Sequence, residues 1–154
     1  LQQLSVAGTR LSSLPGWLCR NKFEDLHAVS FQVNLLQSIP DSFGEHWPAL
    51  SFVDLSSNLL TEVPKGVVTH MPQLKVLRLA NNPVSSIPKD FCTNLPLLET
   101  LDLCNTLISK LPANFYLLAN LRQLGLSQCS KLVEPPMEVI GYQQFDFSLT
   151  ASLT

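Results

Sequence analysis

Three histidines, at 27, 46 and 70, and four cysteines, at 19, 92, 104 and 129, are the residues best suited to metal or nucleophilic chemistry. Metal ligands come in close sequence pairs, typically about 2–5 residues apart, because one local turn must present two of them to the same ion. No two of these seven stand that close, and no glycine-rich phosphate loop with its lysine occurs. No catalytic set, metal or cofactor is expected. The charged residues are spaced differently. Asp54, Arg78 and Asp102 are 24 residues apart, and Lys75, Glu99 and Arg122 follow at 24 and 23. Opposite charges recurring at so long an interval can meet only if the chain itself is periodic.

It is periodic. Leu50-Ser-Phe-Val53-Asp-Leu55-Ser-Ser-Asn58-Leu-Leu60-Thr-Glu-Val63-Pro64 coincides, at a shift of 24, with Leu74-Lys-Val-Leu77-Arg-Leu79-Ala-Asn-Asn82-Pro-Val84-Ser-Ser-Ile87-Pro88 in every apolar position, the asparagine and the proline. The same frame fits copies starting at 1, 26, 98 and 121, the last slightly stretched, with a partial copy near 142. Fixed-period self-similarity marks stacked architectures, in which one repeat cannot bury its apolar face and neighbours bury it together.

The pattern L-x-x-L-x-L-x-x-N-x-L-x-x-L-P with an apolar pair behind the proline resembles the leucine-rich repeat family. The closing stretch Leu132-Val-Glu-Pro135-Pro136-Met-Glu138-Val139 is similar to short intracellular repeats of the Ras-suppressor and Scribble type. The resemblance implies one α/β domain over residues 1–154. This is a right-handed solenoid with a curved parallel sheet of about seven strands and a convex side of extended, 3₁₀ and short helical segments, such as 114–118. It also implies protein binding by a scaffold or regulatory module. The alternatives are the recognition domain of a larger ubiquitin ligase, kinase or GTPase, and an extracellular adhesion or recognition domain.

Elementary geometry agrees. Alternation in L-x-L buries one strand face and exposes the other. Asn34, Asn58 and Asn82 fall where the chain leaves the strand, and an amide there satisfies backbone groups that packing would orphan. Thr9, Thr106 and Cys129 replace that amide, so the ladder is expected to weaken towards both ends. Behind each proline come an anchor (Leu18, Phe43, Val67, Phe91, Phe115) and then a second (Phe23, Trp47, Met71, Leu95, Leu118). Trp17 and Trp47 are both expected to cover the core from the convex side.

Stacking converts equivalent positions into rows. Asp54–Arg78–Asp102 becomes an acid–base–acid line, and Lys75–Glu99–Arg122 runs beside it in opposite order. Phe52 and Val76, with Thr100 next in the row, form an exposed apolar spot. An apolar anchor ringed by charge is the form of many protein-binding patches. The alternative is that neighbouring charges merely neutralise one another, at about 0–1 kcal/mol per exposed pair, and that Phe52 is a lone surface aromatic. His27 and Cys104 lie three strands apart, roughly 14 Å at ordinary strand spacing, so they form no dyad.

Net charge is −2 with 14% charged residues, which gives nucleic acid or an anionic membrane nothing to hold. Unpaired strand edges at the two ends lead to an expectation of edge-to-edge dimers or of covering segments. The chain opens inside a repeat, as a piece of something longer would. Scattered cysteines, with no cysteine-rich cap, point to free thiols in a reducing, cytoplasmic setting.

Overall fold

The computed structural model describes residues 1–133. Six three-residue strands, β1 Gln3–Ser5, β2 Ala28–Ser30, β3 Phe52–Asp54, β4 Val76–Arg78, β5 Thr100–Asp102 and β6 Gln123–Gly125, form one parallel sheet in sequence order. The expected seventh strand lies outside the described residues. Each strand pairs without slippage, so Phe52 sits beside Val76 and Arg78 beside Asp102. The central residues Val29, Val53, Leu77, Leu101 and Leu124 are buried, while Leu4 on the outermost strand is only partly so.

The convex side holds α1 Gly16–Arg20, α2 Lys65–His70, α3 Phe91–Asn94 and a 3₁₀ turn at Phe115–Leu117. Pro15 and Pro64 immediately precede α1 and α2 in extended geometry, where a missing amide costs nothing. All five first anchors are buried, and so are the second anchors other than Phe23. Phe31, Phe43 and Trp47 pack edge to face, with Phe43 and Trp47 centroids 5.0 Å apart. The indole N–H of Trp47 donates to Asn21 O. Trp17 departs from expectation and is 58% exposed. On its short helix the buried side is taken by Leu18 and Cys19, which leaves Trp17 on the outer one.

The asparagine ladder stitches each repeat to the one before it. Asn34 Nδ2 donates to Val6 O and Phe31 O, and its Oδ1 accepts from the amides of Thr9 and Leu11. Asn58 repeats this onto Phe31 O, Leu55 O and the Leu36 amide, and Asn82 onto Leu55 O, Leu79 O and the Leu60 amide. Thr106 is shorter. Its hydroxyl donates to Leu103 O within its own repeat and lies 3.5 Å from Cys129 Sγ.

The residue just before each column position adopts left-handed backbone. These residues are Gly8, Val33, Ser57, Asn81, Asn105 and Gln128, with φ between 53° and 66°. Side chains of three of them connect along the rim, Asn105 Nδ2 donating to Asn81 Oδ1 and Asn81 Nδ2 to Ser57 Oγ. Val33 is out of place, since a β-branched side chain is strained at φ 56° and this one is 57% exposed. Val33→Asn removes that strain and faces Ser57. It should raise unfolding free energy by about 1 kcal/mol, or roughly 2–4 °C in melting temperature. A lower melting temperature would refute the strain at this turn.

Candidate partner-binding face

The concave row positions are set by strand register. Asp54, Arg78, Asp102 and Gly125 occupy four neighbouring strands, and so do Phe52, Val76, Thr100 and Gln123. Lys75, Glu99 and Arg122 lie one residue outside the strands. Backbone bonds keep them abreast, Glu99 N donating to Lys75 O and Arg122 N to Glu99 O at 2.8 Å each. The six strand residues among the nine read from the sequence as partner-binding therefore share the concave face, and Lys75, Glu99 and Arg122 form a row along its edge.

Their contacts correct the expected uniform lines. Arg78 leans towards β3, its Nη1 3.8 Å from Asp54 Oδ2 and its guanidinium carbon 5.4 Å from the Phe52 ring centre. Phe52 and Val76 are half-buried, so the apolar spot is not open: a cation lies on its aromatic half, an arrangement worth about 0.5–1 kcal/mol at a wet site. Asp54 is buried rather than exposed, with its Oδ1 accepting from Ser56 N at 2.9 Å. Lys75 Nζ reaches Glu99 Oε1 at 3.8 Å, a half-exposed pair of small energy. Among the described residues neither Asp102 nor Arg122 has an ion-pair partner within 4 Å. The lines resolve into two pairs and two unmatched charges.

A hollow of about 440 Å³ opens between Arg78 and β6, lined by Asp54, Asn81, Asp102, Cys104 and Gly125 among others. Asp102 Oδ1 accepts from Cys104 N at 3.1 Å, and Ser127 Oγ donates to Cys104 Sγ at the same distance. Burial pushes the Cys104 thiol up, partly offset by the Ser127 hydroxyl, and buried Cys92 is pushed up to about 11. Both therefore stay protonated near neutral pH, which is the weakly nucleophilic form. His27 Nδ1 lies 3.2 Å from Ala49 O at the rim, in reach of no thiol. Among the described residues no three His, Cys, Asp or Glu side chains gather as a metal site, and no helix is long and apolar enough to cross a membrane.

Sequence reasoning missed the left-handed row and its amide chain at Ser57, Asn81 and Asn105. The signal was weak, because six positions carry five residue types.

A stack of short parallel strands tied by an asparagine column, with a polar concave face, is the architecture of leucine-rich repeats. The family model described as leucine rich repeat matches residues 24–84 and again 72–130, more than half of the chain. The chain belongs to that family, whose members generally serve as protein-interaction modules rather than as enzymes. The leucine-rich repeat domain of the type III effector XCV3220 (XopL) is 25% identical, with a TM-score of 0.75 over 86% of this chain and 46% of that one. The Leptospira interrogans leucine-rich repeat protein LIC12759 is 22% identical, with a TM-score of 0.65 over 85% and 41%, a likeness of fold alone. This chain thus spans less than half of either structure. No curated protein matches it.

Proposed function

We propose that the chain is a scaffold or regulatory module that seats a protein partner on its concave face, across β3 to β6. One observation carries the reading. The face holds an open hollow in which Asp102 is left over after Arg78 has paired with Asp54, and along its edge Arg122 is left over after Lys75 has paired with Glu99. Mutual neutralisation would have consumed them. Leftover opposite charges on a sheet that also carries a half-buried aromatic supply orientation and anchoring to a partner. Three of the four thiols are buried, which suits work in a reducing compartment.

The test is capture from native lysate on immobilised protein, comparing Arg78→Glu with Lys110→Glu, which lies off the concave sheet. Arg78→Glu should cut capture of the same partner at least tenfold, about 1.4 kcal/mol, while Lys110→Glu leaves it unchanged. Equal capture by both variants sinks the reading.

A further inference from the structure

Two alternate steps of the sheet share the same register and the same aspartate position. From β3 to β4, Asp54 faces Arg78. Its Oδ1 is held by the amide two residues on and its Oδ2 by the guanidinium. From β5 to β6, Asp102 faces Gly125, and its Oδ1 is held in the same way by the amide of Cys104. Where the first step has an arginine, the second has a residue with no side chain. Arg78 itself leans away, towards Phe52 and Asp54, so it leaves Asp102 to the hollow.

Gly125 is what lets the Asp102 carboxylate lie across this strand. A Cβ on it would come 2.6 Å from Asp102 Oδ1 and 2.8 Å from Cys104 Sγ, so any other residue would displace the carboxylate. Beside it, Thr100 Oγ1 donates to Gln123 Oε1, which puts hydrogen-bonding groups where the first step has Phe52. The floor here is polar and carries the Asp102 charge, and it lies on the same hollow that the Asp54–Arg78 pair lines.

We infer that the partner reaches an arginine or lysine side chain into the hollow and pairs it with the Asp102 carboxylate where that lies against Gly125, supplying at β5–β6 the cation that Arg78 supplies to Asp54 at β3–β4. The inference rests on the proposed concave binding and names the chemistry of that partner. A guanidinium suits the place best, since its planar fork matches a carboxylate. A charge-assisted bond in a half-enclosed hollow gains more than one on the open rim.

The probe is a random twelve-residue peptide library displayed on phage and selected on the whole chain, with individual peptides then measured by fluorescence polarisation. Enriched peptides should share one arginine or lysine. Replacing it by citrulline or glutamine, or making Asp102→Asn, should each weaken binding roughly 10- to 30-fold, and the two together no further. Gly125→Ala should weaken it comparably. The peptide substitution leaves the protein untouched, so a folding defect cannot mimic the result. Peptides that Arg78→Glu displaces but that ignore Asp102→Asn, or that lack a shared cation, overturn this inference and leave concave binding standing. No enrichment, or peptides indifferent to both variants, overturns the two together.

Discussion

Asn58→Ala should lower the unfolding free energy by roughly 2–4 kcal/mol, a large effect for one polar side chain. Asn58 is buried. Its Nδ2 donates to Phe31 O and Leu55 O at 3.0 Å each, and its Oδ1 accepts from Leu36 N at 3.1 Å. Alanine leaves the Leu36 amide without a partner where water does not reach, at about 1–3 kcal/mol, and takes one of two amide donors from each carbonyl, since Asn34 still serves Phe31 O and Asn82 still serves Leu55 O. Asn120→Ala is the control. That side chain also bonds a carbonyl of the preceding repeat, Pro96 O at 2.8 Å, but it is exposed, and water replaces the bond for about 1 kcal/mol or less. Denaturant midpoints compare the two. Similar losses would mean that the ladder contributes little.

Gly66→Ala is expected to destabilise by roughly 2–4 kcal/mol, against the usual gain of about 0.5–1 kcal/mol from replacing a helical glycine. Gly66 lies on α2 with its Cα turned to the preceding convex arc. An added Cβ would come 2.5 Å from Phe43 O, 2.9 Å from Asp41 O and 3.1 Å from Phe43 Cβ. Phe43 is fully buried and locked edge to face on Trp47, so that carbonyl has little room to retreat. Thermal unfolding decides the sign. A stabilised variant would show that the convex arcs can slide apart at no cost.

The sheet and its register were legible because a period of 23–25 residues permits only one alignment of the copies, which gave every strand pair in order. The rows of the nine candidate residues followed from register alone. What register could not supply is side-chain direction. Arg78 has Asp54 on one side and Asp102 on the other, equivalent in sequence. Phe52 breaks the tie, because a ring on the β3 side attracts the guanidinium. Asp54 is buried for the same reason, since its neighbour folds over it. Helices α1 to α3 run only 4–6 residues, too short for apolar periodicity to declare them. Gly66 was unreadable, as its requirement arises from a carbonyl one repeat earlier.

The asparagine column also governs how the chain divides. Every amide in it reaches back, towards the N-terminal neighbour, so a repeat's own exit turn is completed by its successor. Severed at any boundary through the central copies, the N-terminal fragment would keep its apolar stack yet end in a coil whose donors and acceptors had lost their keeper. The repeats are therefore not interchangeable bricks. They resemble overlapping shingles, each fastened down by the next one laid.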